Sequence, residues 1–159
     1  MIVVAATDDQ GGMMFNQRRQ SQDRVLRAHI LALAKDSRLW MNAYTGRQFA
    51  DSGNQERFPA GADSGNQGEI SMDGGNQTEI LIDDAFLEKA GAGEYCFVEN
   101  SPAAPYESRI EKIVLFKWNR AYPGDFFFDM DLSTWKRIET EDFAGASHEK
   151  ITQEVYVRE

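Results

Sequence analysis

Residues 113–135 constrain this chain more than any other stretch. Ile113-Val-Leu-Phe116 is an apolar, β-branched run of the kind that a sheet buries on both faces. A turn at Tyr122-Pro-Gly-Asp125, a short aromatic strand at Phe126-Phe-Phe128 and an amphipathic segment ending in Trp135 follow it. The C-terminal half is therefore built on strands.

The N-terminal half begins in the same way. Ile2-Val-Val-Ala-Ala6 is a second run suited to burial on both faces and predicts a strand at the centre of a sheet. Residues 7–12 read as a loop, with Gly11 and Gly12 where a positive φ or a close backbone approach is wanted. From Asp23 the pattern turns helical. Val25, Leu26, His29, Ile30 and Leu33 share one stripe, Ser21 or Asp23 caps the first turn, and the helix ends near residues 35–37. Leu39-Trp-Met41 is then a strand parallel to the first across a crossover helix, and residues 45–49 a short helix.

Further along, Glu79-Ile-Leu-Ile82 reads as a strand, and residues 83–90 as a short helix capped by Asp83 and stopped by Gly91. Tyr95-Cys-Phe-Val98 is another buried strand. After a turn at Ala144-Gly-Ala146, residues 151–157 alternate like a half-exposed strand. The expected class is α/β: a central, mostly parallel sheet with antiparallel C-terminal strands and helices on both faces.

Hydrophobic periodicity is lost from about residue 51 to residue 78. Asp51-Ser-Gly-Asn-Gln55, Asp63-Ser-Gly-Asn-Gln67 and Asp73-Gly-Gly-Asn-Gln77 are near copies there, but too few apolar residues separate them to build a solenoid. We read a single domain over 1–159 carrying this low-complexity insertion. The insertion makes hairpin turns or a loose excursion, with Phe58, Ile70 and Met72 touching the body. An Asp/Asn/Gly repeat can also hold calcium, but EF-hand spacing with its closing Glu is missing.

A chain of 159 residues can bury a core without disulfides or metals. The formal net charge of −9 excludes a surface built as a whole to hold DNA or an anionic membrane, though not a local basic patch. Cys96 is the single cysteine and lies in an apolar run, which predicts a buried thiol and a reducing, cytoplasmic setting. Residues 1–6 are too short for a signal core, and no run approaches a membrane span, so no membrane partner is expected. Two histidines and one cysteine leave no His-x-His-x-Asp-His array, and no metal site is assigned.

The order of these features resembles the dihydrofolate reductase family. The opening strand with Ala5-Ala6, the Gly12 and Asn16 loop, an Asp at the first helix and Met41 followed by Thr45 all occur in that family's order. So do Tyr106-Glu107 before the Ile113 strand, Gly124-Asp125, Trp135 and a last strand ending in Arg158. The resemblance implies a dihydrofolate reductase-like fold over nearly the whole chain.

The family's chemistry carries over less completely. Its Pro-Trp loop is replaced by Asn16-Gln-Arg-Arg-Gln-Ser-Gln22, although Asp23 stands where the resemblance implies a pterin-binding carboxylate. The Thr that partners that carboxylate falls near Phe116 or Lys117. Its Met-Gly-Arg-x-Thr phosphate motif appears as Met41-Asn-Ala-Tyr-Thr45, and its three-glycine turn as Glu99-Asn-Ser101. A carboxylate at that turn repels a pyrophosphate. NADPH thus stays open as a cofactor while its usual motifs are absent, and conventional dihydrofolate reduction is not expected.

The replacement segment supplies the candidate ligand site. Asn16, Arg18, Arg19, Arg24 and Arg27 gather guanidiniums and an amide near a helix start, a composition suited to a phosphate- or carboxylate-bearing small molecule. A divergent ligand-binding protein, or a reductase of altered specificity, is one reading. The other is an RNA- or nucleotide-binding, ribonuclease-like protein using the same arginines, with His29, His148 or Glu149 for proton transfer. Asp23, His29 and His148 are the candidate catalytic residues. Each also has a plain structural role open to it: a helix cap for Asp23, a packed ring for His29, a surface turn before the last strand for His148.

Overall fold

A computed structural model describes residues 1–49, 67–73 and 76–158. Its centre is an eight-stranded sheet, and the apolar run at the N-terminus forms strand β1 (Ile2–Thr7) in its middle. β1 pairs in parallel with β7 (Tyr95–Phe97) on one side and with β8 (Lys112–Lys117) on the other. Beyond β7 come β4 (Arg38–Met41) and β6 (Asn76–Ile82), both parallel to their inner neighbours. Two antiparallel strands, β11 (Ile151–Arg158) and β10 (Trp135–Phe143), continue the sheet outward from β8.

Alternation along the strands splits the core in two. Ile2, Val4, Leu39, Met41, Val114 and Phe116 face helix α1 (Arg24–Leu33) and helix α2 (Ala43–Phe49). Val3, Ala5, Trp40, Ile113 and Leu115 face helix α3 (Phe86–Lys89) and the aromatic C-terminal segment. Because both faces are covered, β1 and β8 tolerate the continuous apolar runs seen in the sequence.

The far edge falls where periodicity fails. β5 (Gln67–Asp73) pairs antiparallel with β6, and Asp73 stands opposite Asn76. Of the third copy of the repeat, Asp73, Asn76 and Gln77 are thus on paired strands. The first two copies, apart from Gln67, lie outside the described residues, as do Phe58 and the side chains of Ile70 and Met72, so the calcium reading falls outside them too.

Three local expectations are corrected. α3 starts at Phe86 with Ala85 as its cap; Asp83 instead accepts the Ala85 N–H at 2.8 Å and pairs with Lys89. β11 is not half-exposed. It runs between β8 and β10, and Thr152, Gln153 and Glu154 are buried with its apolar residues. Arg18 and Arg19 do not gather at the helix start with Arg24 and Arg27: they form strand β3 (Arg18–Arg19), paired with β2 (Gly12–Phe15) in a small second sheet with β9 (Phe126–Phe127).

Candidate functional site

The β2–β3 hairpin sits beside the ends of the central strands, where open α/β sheets bind ligands. Asn16 and Gln17 form its tip with φ of 54° and 64°, the positive values that a two-residue hairpin turn demands. The tip is tied down, since Asn16 N–H donates to Asp125 Oδ2 at 3.0 Å. At its base, Gln20 Nε2 donates to the Pro123 carbonyl at 3.0 Å and lies 3.4 Å from Asp8 Oδ2. Gly12 and Gly124 flank that amide, and a Cβ on either would come within 2.5 or 2.8 Å of Gln20 Nε2.

Asp8 gathers the surrounding loops. Its carboxylate accepts N–H groups from Gln10, Gly12 and Tyr122 at 2.9, 2.8 and 3.0 Å. Burial works against its ionisation, but these donors outweigh burial and hold its pKa below the ordinary range.

Arg19 reaches across the cleft from β3. It makes a two-pronged pair with Glu99, Nε to Oε2 at 2.9 Å and Nη2 to Oε1 at 3.1 Å, and Gln48 Nε2 donates to the same carboxylate at 3.0 Å. Its guanidinium lies 4.5 Å over the Tyr44 ring, while its backbone N–H donates to the Tyr44 hydroxyl at 2.8 Å. Next to this pair a cleft of about 420 Å³ is lined by Met14, Gln17, Asn100, Asp125 and Phe126. No cation lines it.

Asp23 caps α1 and faces inward. Oδ1 accepts from Val25, Leu26 and Ala146 N–H at 2.9, 3.3 and 2.9 Å. Oδ2 accepts from Ser147 N–H and Oγ at 2.8 and 3.1 Å, and from His148 Nδ1 at 3.0 Å. Burial opposes the charge, yet the donors from Ala146, His148, Ser147 and Val25 hold the carboxyl far below the usual range. An ionised carboxylate is acceptor-only, so the Nδ1 of His148 carries the proton. His148 is buried, not on a surface turn: Trp118 stacks on its ring at 4.4 Å, and its Nε2 meets Ser21 Oγ at 3.0 Å and Tyr122 Oη at 3.1 Å. Asp23 is therefore spent on the start of α1 and on the loop at 144–148. The partners that the resemblance places near Phe116 or Lys117 are here Ser147 and His148.

The remaining candidates separate. Asn16 and Arg18 are exposed on the hairpin and Arg24 on the first turn of α1. His29 stacks on Phe143 at 3.7 Å between rings and is tilted against Phe116, a packed ring on the apolar stripe. Arg27 is the exception. It is only 9% exposed, and among the described residues its guanidinium donates one hydrogen bond, to Gln22 Oε1 at 3.2 Å. Burial lowers its pKa; Asp23 acts in the opposite sense, and the like charges of Arg19 and Arg24 lower it further. Sequence reasoning picked out these arginines as a group, but not that one of them is buried. Arg27 lies one helical turn from Asp23, on the side of α1 that carries Leu26 and Ile30, and that spacing was the available signal.

No protein-family model matches this chain, and no curated protein matches it at a significant level. Among solved structures it is similar to a dihydrofolate reductase from Enterococcus faecalis complexed with NADP(H) and RAB-propyl, with a TM-score of 0.58. The alignment covers 99% of this chain and 96% of that one at 13% identity. The fold is dihydrofolate reductase-like. In this dihydrofolate reductase-like chain the order of strands and the resemblance of the sequence agree. At that identity the likeness concerns the fold alone.

The residues here do not fit NADPH. At the end of β7, where the resemblance expects a glycine turn open to pyrophosphate, Glu99 presents a carboxylate already engaged by Arg19 and Gln48. Beside it Asn42 Nδ2 donates to Asn100 Oδ1 at 2.8 Å, joining the loops after β4 and β7. No reduction step is assigned. Among the described residues no helix is long and apolar enough to cross a membrane.

Proposed function

We propose that this protein binds a small anionic molecule, bearing a phosphate or carboxylate, through Arg27 with Arg24 beside it. The observation that carries the reading is Arg27 itself. A buried guanidinium has five N–H donors, and among the described residues one is used here, by a neutral amide. Asp23, the carboxylate whose charge acts on it, is already taken by six donors from Val25, Leu26, Ala146, Ser147 and His148. Arg19 and Arg24 add like charge that an arriving anion relieves. Arg19 contributes field and Arg18 little, because the first is held by Glu99 and the second is exposed on the hairpin. A small-molecule binder in the cytoplasm suits a chain whose one thiol is buried and unpaired.

Melting-temperature titrations test this. Phosphate and short mono- and dicarboxylates are added to the native protein and to Arg27→Ala, with NADPH and an RNA oligonucleotide alongside. A ligand at a hundred times its Kd raises Tm by roughly 5–10 °C in a domain of this size. We expect that rise with a small anion in the native protein alone. A rise with NADPH alone restores the reductase reading, and a salt-sensitive rise with RNA alone restores the nucleic-acid reading.

A further inference from the structure

We propose that Ser21, His148 and Asp23 form a nucleophile, base and positioning carboxylate that hydrolyse short-chain carboxylic esters. The hydrogen bonds that carry it do not involve Arg27. Ser21 Oγ lies 3.0 Å from His148 Nε2, and His148 Nδ1 lies 3.0 Å from Asp23 Oδ2. These separations are those required for a serine activated by a histidine that a carboxylate orients, whatever the order of the three along the chain.

The surroundings hold the arrangement in one state. Asp23 is fixed by Ala146 and Ser147 N–H groups, and Trp118 covers one face of the imidazole. With the Nδ1 proton directed at Asp23, the Nε2 lone pair is left to accept a proton. With Nε2 as an acceptor, a backbone N–H would serve a histidine that only ties the loop at 144–148 to α1. Here it faces two hydroxyls, Ser21 and Tyr122, and both residues are partly exposed. One lone pair accepts one hydrogen bond at a time, so while Ser21 uses it the Tyr122 hydroxyl is free to donate to an oxyanion beside it.

The steps balance without another reagent. Ser21 Oγ adds to the ester carbonyl carbon, the carbonyl π pair moves to oxygen, and the seryl proton passes to His148 Nε2. Collapse re-forms the carbonyl and breaks the bond to the alcohol, which leaves with that proton. Water then attacks the acyl-serine through the same nitrogen, releasing the carboxylic acid and restoring Ser21. His148 and Asp23 are buried while Ser21 is partly exposed, so an acyl group reaches Ser21 from the solvent side, which favours a short chain.

The test is covalent labelling of the intact protein with a fluorophosphonate, which bonds to an activated serine and expels fluoride. We expect one label per chain, on Ser21 by peptide fragmentation. We expect none on a Ser21→Ala variant of unchanged melting temperature. Hydrolysis of 4-nitrophenyl acetate should fall at least about a hundredfold in that variant, to the uncatalysed rate. No label on the native protein, a label on another residue, or equal hydrolysis by a folded Ser21→Ala overturns the proposal. The fragmentation result stands even if the variant does not fold.

Discussion

Asp23 Oδ2 lies 3.0 Å from His148 Nδ1, so one carboxylate closes the start of α1 and anchors a loop 125 residues later. Its folded pKa is depressed, and the sign of the linkage follows. The stabilisation is present above the unfolded value of about 3.9 and is lost as pH falls toward the folded value. Asp23→Asn keeps the shape but turns an amide toward groups that donate. We expect a loss of roughly 2–4 kcal/mol at pH 7 and a shallower fall in stability toward pH 3, read by urea unfolding at both values.

How much of this was legible in the sequence depends on how local the signal is. β1, β4 and β8 announce themselves because burial on both faces needs apolar runs. α1 does so because Asp23 caps a stripe of Val25, Leu26 and Ile30. The β2–β3 hairpin escaped, since its turn is set by positive φ at Asn16 and Gln17, and its anchors, Asp8 and Asp125, are remote or on other loops. Burial of Glu154 in β11 escaped for the same reason. It is supported by Arg137 and Lys117 on neighbouring strands, which its own alternation does not reveal, and by the Tyr156 hydroxyl two residues on. His148 looked like a surface residue because Trp118 and Asp23, which bury it, are 30 and 125 residues away.

The Arg19–Glu99 pair latches the hairpin to the end of β7. Removing one partner leaves a poorly solvated charge, so Arg19→Ala and Glu99→Gln should each cost roughly 1–3 kcal/mol. The double variant should cost less than the sum of the two. A coupling near zero in chemical denaturation would show that the pair is no latch.

Gln17 holds a positive φ without being glycine. Gln17→Gly should raise stability by about 1 kcal/mol, because it removes left-handed strain at a site whose side chain is exposed. A lower denaturation midpoint would mean that the side chain supports the neighbouring cleft instead.

Burial pushes the Cys96 thiol up to about 12, helped by Glu94 and opposed by the N-terminal amine and Arg109. The thiolate is thus scarce at neutral pH. A disulfide reagent at pH 8 should leave the native protein unmodified and titrate one thiol per chain in denaturant. Fast reaction of the folded protein would contradict the burial.

Phosphate titrated calorimetrically into the native protein and into Arg27→Gln measures the anion site most directly. The substitution removes the charge and keeps a side chain of similar reach at the same helical position. Loss of a charge-assisted contact of about 1.5–3 kcal/mol predicts that Kd rises roughly tenfold to a hundredfold, while Arg18→Gln leaves it nearly unchanged. Equal affinity in native protein and Arg27→Gln, or a greater loss in Arg18→Gln, would contradict an anion held by the buried arginine.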